Sequence, residues 1–93
     1  MTKVDVDQRA TSDLISHVDY LSDYSRAAAE RLVSDYEAVV AQLRTFPESG
    51  ARSHDDPELR LVRRGRHVYV YSYQADTGVL LLRILAGAQQ GRD

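Results

Sequence analysis

The sequence predicts an α+β fold made of an N-terminal edge strand, an antiparallel helical hairpin and then a three-stranded antiparallel meander. Three observations support this prediction. Apolar and acidic residues alternate near the N-terminus, apolar residues recur at helical spacing between positions 14 and 43, and three strand-like runs follow position 58. A period of two is typical of a half-buried strand, whereas spacings of three and four are typical of an amphipathic helix.

Length and composition limit the classes of protein to consider. A chain of 93 residues can bury one hydrophobic core, so we expect one domain spanning residues 1–93. The chain has no cysteine, which excludes disulfides, thiolate zinc sites and thiol nucleophiles. The N-terminus lacks the apolar segment of a signal peptide, and no apolar run approaches the ~18 residues of a membrane span. We therefore expect a cytoplasmic protein that does not contact a membrane.

Charge is distributed unevenly along the chain. Residues 1–50 contain five Lys/Arg and nine Asp/Glu, whereas residues 51–93 contain seven Arg and five Asp/Glu. Because the guanidinium group binds carboxylates and phosphates with two parallel hydrogen bonds, the second half suits an acidic protein partner or a phosphate backbone. A solvated arginine-rich surface is the alternative. The net charge of −2 argues weakly against nucleic acid as the main ligand.

The first half of the chain contains one strand and two helices. Within residues 3–9, Val4 and Val6 alternate with aspartates, and these charges are typical of an edge strand. Thr11-Ser12-Asp13 is expected to cap the first helix, which should run to about Ser22. Ser25 is expected to cap the second helix, which ends before Pro47. Its apolar stripe covers nearly five turns: Ala29, Leu32, Val33, Tyr36, Val40 and Leu43.

The second half begins with an exposed loop and continues as the meander. Residues 47–57 hold both prolines together with small polar residues, which is typical of a loop. The first strand begins at Leu59, and Gly65 permits a tight turn before residues 67–73, which are rich in valine and tyrosine. Asp76-Thr77-Gly78 supplies the second turn, and residues 79–86 form the last strand.

Alternation predicts which face of the meander meets the helices. Burying an unpaired arginine is very costly, so Arg83 should point away from the helices. On this reasoning Leu80, Leu82 and Ile84 face the helices in the last strand. In the preceding strand Val68 and Val70 fit the core better than the tyrosines do. The outward side chains are then Tyr69, Tyr71, Tyr73, Leu81, Arg83 and Leu85. We interpret this outward surface, apolar apart from its lone arginine, as a binding surface.

Few residues could perform catalysis. The weak candidates are Arg83, His67 and Arg64, which could together hold a phosphate. His17 lies within an amphipathic helix and is interpreted as a packing residue. His54 precedes two aspartates, but no second histidine has metal-binding spacing, so no metal site is predicted. No phosphate loop, nucleophile elbow or zinc-finger spacing occurs, and no cofactor is predicted.

Three short motifs, in this order, resemble the RelE/ParE superfamily of toxins from bacterial type II toxin–antitoxin systems. The resemblance covers nearly the whole chain. The motifs are Glu58-Leu59-Arg60, Gly65-Arg66-His67-Val68-Tyr69-Val70-Tyr71 and Leu82-Arg83-Ile84-Leu85-Ala86-Gly87. They are similar to the "LR" after the loop, the "GRHVIFYR" strand and the closing "RVLHG" strand of ParE-like chains.

Two departures from the family pattern accompany these matches. Ala86 stands where ParE-like chains usually have histidine, and Ser72 stands where many have arginine. After Arg83 the chain offers no side chain suited to proton transfer near neutral pH. The resemblance therefore favours the ParE branch rather than the mRNA-cleaving RelE branch.

The resemblance implies a toxin that inhibits DNA gyrase by binding, takes part in plasmid stabilisation, and is neutralised by an acidic, ParD-like antitoxin. Sequence-specific nucleic-acid binding is not expected. The alternatives are a ribosome-dependent mRNA endonuclease and a degenerate member that only binds antitoxin. The residues expected to bind partners are Arg60, Arg63, Arg64, Arg66, Tyr69, Tyr71, Tyr73, Leu81, Arg83 and Leu85.

Overall fold

Two helices and five strands make up the part of the chain that the computed structural model describes, residues 1–87. The predicted order of an N-terminal strand, a helical hairpin and a meander is confirmed. The bounds of the elements are β1 Val4–Val6, α1 Gln8–Ser22, α2 Arg26–Thr45, β2 Ala51–Arg52, β3 Leu59–Arg64, β4 His67–Gln74 and β5 Gly78–Ala86.

The strands form one mixed sheet in the order β1-β5-β4-β3-β2. β1 is an edge strand, as predicted, and it pairs parallel to β5 with Val4 opposite Val79. The remaining pairs are antiparallel. β2 was not predicted, because its two residues lie inside the expected loop of residues 47–57 and are too few to show any periodicity. Ala51 pairs with Leu61, so β2 protects the start of the β3 edge.

The helix ends follow from side-chain capping. α2 is capped by Ser25, whose Oγ accepts from the Ala28 N–H at 3.1 Å, as predicted. The predicted start of α1 is wrong: the helix begins earlier, because the Asp7 carboxylate accepts from the Arg9 N–H at 2.8 Å and serves as the cap. Asp13 therefore lies inside the helix, and its carboxylate is available for contacts elsewhere.

The predicted faces of β4 and β5 are partly wrong. Tyr69, Tyr71 and Leu81 are fully buried in the core beneath the helices, and Tyr73 packs against that core from its margin. Val68 lies on the opposite side of the sheet, although it is only 5% exposed. The predicted outward positions of the tyrosines and of Leu81 are thus overturned.

A β-bulge explains why the prediction failed for half of β5. Val70 pairs with Arg83, whereas the next residue, Tyr71, pairs with Leu81, so one residue of β5 is extra. Before the bulge Leu81 faces the core, and Leu80 lies opposite Ser72 on the outer side. After the bulge Ile84 faces the core. Arg83 and Leu85 are consequently on the outer side, as predicted.

Tyr71 can occupy the core because its hydroxyl group has hydrogen-bond partners inside the protein. It donates to the Pro47 carbonyl oxygen at 2.8 Å and accepts from the Gly50 N–H at 2.9 Å. The ring of Tyr71 is thus buried while its hydroxyl group makes both of these hydrogen bonds. The Tyr69 hydroxyl has no hydrogen-bond partner among the described residues, and burial raises the pKa of Tyr69 to about 12.

Arg60 and Tyr71 together fix the loop of residues 47–50. Arg60 Nη1 donates to the carbonyl oxygens of Glu48 at 3.1 Å and of Gly50 at 2.9 Å. A Cβ on Gly50 would lie 2.7 Å from the Tyr71 hydroxyl oxygen, so only glycine permits this close approach. The chain after α2 is therefore held by side chains from β3 and β4.

We expect Tyr71→Phe to reduce the free energy of unfolding by about 1–3 kcal/mol, because the buried Gly50 N–H loses its acceptor. Urea denaturation followed by circular dichroism would measure the change. Tyr24→Phe is the matched control, since Tyr24 is 72% exposed and should alter stability by less than about 0.5 kcal/mol. Equal stability of the two variants would contradict the role assigned to the Tyr71 hydroxyl.

Candidate functional site

The ten residues expected to bind partners do not form one surface. Tyr69, Tyr71 and Leu81 are inaccessible in the core. Arg60 is half-buried and occupied by the loop of residues 47–50. The sequence analysis placed the tyrosines on the surface because the valines of β4 were expected to fit the core better, and it placed Leu81 there because it assumed one uninterrupted register along β5.

Three of the accessible candidates, Arg63, Arg83 and Leu85, lie on the side of the sheet away from the core, which we call the outer face. It is defined by six apolar residues that follow from the strand pairing: Leu59, Leu61, Val68, Val70, Leu80 and Leu85. The four leucines are half-buried. Arg63, opposite Val68, and Arg83, opposite Val70, lie among them. The outer face is thus an apolar strip with two arginines, whereas the sequence analysis predicted tyrosines, two leucines and a lone arginine there.

Arg83 is held by a carboxylate on α1. Its Nε donates to Asp13 Oδ2 at 2.7 Å, and its Nη2 donates to Asp13 Oδ1 at 3.0 Å. This bidentate, charge-assisted geometry is stronger than a single contact between neutral groups. The hydrogen bond from Arg83 is the main cause that holds the pKa of Asp13 below its usual value, and the Ile84 N–H adds to it. Arg83 itself stays 44% exposed.

Asp13 and His17 together bond the backbone of one residue of β5. Asp13 Oδ2 accepts from the Ile84 N–H at 2.9 Å, and His17 Nε2 donates to the Ile84 carbonyl oxygen at 2.8 Å. β1 pairs only with Val79, Leu80 and Leu81, so it does not reach the backbone groups farther along the edge of β5. Side chains of α1 form hydrogen bonds with those groups instead. The i, i+4 spacing of Asp13 and His17 was a signal for this shared role that sequence reasoning missed.

His67 and Arg64 also have contacts within the fold. The His67 ring centroid lies 4.8 Å from that of His17, and burial is the main cause that lowers the pKa of His67. Arg64 Nε lies 3.4 Å from Asp35 Oδ1 on α2. Arg64 and Arg83 thus pair with carboxylates on different helices, and a phosphate shared by both would have to displace Asp35 and Asp13.

The β3–β4 turn carries the remaining predicted arginines. Arg63 and Arg66 are exposed, and neither lies within 4.0 Å of a carboxylate among residues 1–87. Gly65 between them has a φ of +61°, a conformation that glycine adopts without strain. The turn therefore presents two guanidinium groups to solvent.

Within residues 1–87, no three histidine or carboxylate side chains come together in a way that could hold a metal ion. Over the same residues, neither helix combines the length and the apolar character that crossing a bilayer requires.

The lowered pKa of Asp13 predicts a loss of stability in acid. A depressed folded-state pKa stabilises the fold above the unfolded value of 3.8 and ceases to do so as pH falls through the folded value. We expect the free energy of unfolding to fall as pH decreases from 5 to 2, and to fall less in Asp13→Asn. Urea titrations at successive pH values would measure both slopes.

Asp19→Asn is the matched control, because Asp19 is exposed on the same helix. It should retain the pH slope of the wild type. A slope in Asp13→Asn as steep as that of the wild type would contradict the contribution assigned to the Asp13–Arg83 pair.

Comparison with known proteins agrees with this fold. No curated protein matches the chain. Among solved structures, the chain is similar to one described as the chromosomal ParDE TA system from P. aeruginosa, with a TM-score of 0.73 and 20% identity. That match covers 92% of this chain and 96% of the other. The family model described as ParE toxin of type II toxin-antitoxin system, parDE, matches residues 4–91, and the chain therefore belongs to the ParE toxin family.

Proposed function

We propose that this protein inhibits DNA gyrase by binding it, and that a cognate, acidic, ParD-like antitoxin keeps it inactive. Membership of the ParE family supplies the toxin role in a type II toxin–antitoxin system. The motifs that resemble the ParE branch favour gyrase as the target. The proposal also implies action in the cytoplasm, where a DNA-bound topoisomerase is accessible.

One observation favours binding over catalysis: the candidate catalytic side chains already make contacts within the fold. Arg83 is bound to Asp13 by two hydrogen bonds, and Arg64 lies against Asp35. The half-buried His67 ring lies against the His17 ring, with 4.8 Å between the ring centroids. An RNA phosphate would need to break two ion pairs before it met an acid or a base, so this arrangement favours a surface that binds a protein.

The outer face supports the second part of the proposal. Four half-buried leucines flank the buried Val68 and Val70 and form an apolar strip on the side of the sheet opposite the core cluster, to which Val39 and Leu43 of α2 contribute. Contiguous apolar surface of this kind marks interaction sites. Arg63 and Arg83 lie among these side chains and would complement acidic residues of the antitoxin. We therefore assign the outer face to the antitoxin.

Gyrase inhibition can be measured directly. We expect the purified, folded protein to inhibit negative supercoiling of relaxed plasmid by gyrase in proportion to its concentration, and pre-incubation with the antitoxin to restore supercoiling. Full supercoiling with excess folded protein would contradict the proposed target.

Primer extension on translated mRNA is the parallel assay, because cuts at codon positions would favour the endonuclease alternative. Growth unaffected by expression without the antitoxin would favour the degenerate alternative.

Antitoxin binding at the outer face predicts that Leu85→Glu weakens the complex at least about tenfold, because a buried carboxylate would replace an apolar contact and would repel an acidic antitoxin. Isothermal titration calorimetry would measure the dissociation constant. Ile15→Glu is the matched control, since Ile15 is an exposed aliphatic residue on α1, 57% accessible and outside the outer face. Equal affinities of the two variants would remove the outer face as the antitoxin site.

A further inference from the structure

α1 buries fewer apolar side chains than α2 does. Its one fully buried residue is Ala10. α2 buries four residues: Ala29, Leu32, Val39 and Leu43. α1 is also attached to β5 by side chains, because Asp13 and His17 bond the N–H and the carbonyl group of Ile84. A segment that buries little apolar surface opens at a lower free energy than the core does, so the attachment of α1 depends strongly on these two polar side chains.

A second histidine lies against His17 where α1 meets the sheet. The ring centroids of His17 and His67 are 4.8 Å apart, and both rings are half-buried. A carbonyl oxygen can only accept a hydrogen bond, so the bond to Ile84 places the proton of neutral His17 on Nε2. Nδ1 of His17 is then the atom that gains a proton in acid. Protonation of both rings therefore brings two positive charges into contact between α1 and β4.

The charged groups around the two rings are basic for the most part. They come from all the surrounding elements of the described chain: Asp13 of α1, Arg31 and Asp35 of α2, Arg64 of β3, Arg66 of the β3–β4 turn and Arg83 of β5. Both carboxylates already pair with an arginine, Asp13 with Arg83 and Asp35 with Arg64. Neither carboxylate is therefore free to neutralise a second imidazolium.

The surroundings of His67 disfavour its charged form. Burial is the main cause that lowers the pKa of His67, the charge of His17 adds to it, and the Asp35 carboxylate opposes both with a smaller effect. A histidine with a folded pKa below the unfolded value of 6.5 takes up a proton more readily once its contact opens. The closed contact is therefore stable above pH 6.5 and is progressively destabilised as the pH falls below that value.

We propose that the His17–His67 contact is an acid-sensitive joint, at which protonation of the rings separates α1 from β4 and β5 while α2 stays folded on the sheet. α2 stays in place because the apolar side chains that it buries do not titrate. Opening of the joint also withdraws Asp13 from Arg83 and leaves a free guanidinium group on the outer face. The joint belongs to the fold of this chain and does not depend on which target the toxin binds.

Amide hydrogen exchange of the whole chain, followed by NMR at pH 7 and pH 5, measures the opening of each helix separately. The rates are corrected for the pH dependence of exchange in an unfolded chain. We expect the protection of the α1 amides to fall at least about threefold between the two pH values, because the open state binds protons more readily. The protection of the α2 amides should change by less than about twofold.

Two variants remove the titratable rings in different ways. His67→Phe keeps an aromatic ring without nitrogen, and His17→Gln keeps an N–H donor for the Ile84 carbonyl oxygen. Both should retain the α1 protection at pH 5 that they have at pH 7. His54→Gln is the matched control, because His54 is exposed in the loop before β3, and it should show the wild-type loss. Thermal melting would show which variants fold, and either variant alone suffices for the test.

Three results would overturn the acid-sensitive joint. The first is unchanged α1 protection in the wild type between pH 7 and pH 5. The second is an equal loss of protection in α1 and α2, which would indicate opening of the whole fold. The third is a wild-type loss of α1 protection in a folded His67→Phe or His17→Gln variant, since the titrating group would then lie elsewhere.

Discussion

The single extra residue of β5 at the bulge determines how the rest of the fold is arranged. Without it, strict alternation would place Leu81 and Ile84 on opposite sides of the sheet. With it, both side chains enter the core with Tyr71, and Arg83 is kept out. The bulge therefore allows a strand with a charged residue in its middle to contribute apolar side chains to the core on both sides of that charge.

The bulge also fixes the position of α1. Once Ile84 points into the core, its backbone N–H and carbonyl group lie at the edge of β5 beyond the reach of β1. Asp13 and His17 satisfy these groups, and Asp13 binds the Arg83 guanidinium with the same carboxylate. A charged residue that seemed to interrupt the strand is thus part of the joint between helix and sheet. The same contacts engage Arg83, one of the three candidate catalytic residues.

Much of the fold could be predicted because its signals are long or chemically specific. The stripe of α2 extends over many turns and Ser25 is a strong cap, so the helix was predicted correctly, although Val39 enters the core and Val33 stays exposed. The bulge could not be predicted, because residues 79–82 are all apolar and show no alternation that a register shift would disturb. The burial of Tyr71 depends on acceptor and donor groups in residues 47–50, which lie far away in sequence. For the candidate site, the apolar character of the outer face and the place of Arg83 were predictable, but the partner of Arg83 was not.

The pairing of β1 with β5 brings the first and last strands of the described chain together. Val4 lies opposite Val79, and Asp13 meets Arg83 across 70 positions of sequence. Contacts of such long range form late, because the loop between them must close first. During synthesis, β1 and α1 have no place to dock until β5 has left the ribosome. An incomplete chain therefore lacks the assembled outer face, which is completed only when β5 joins the sheet in the last step of folding.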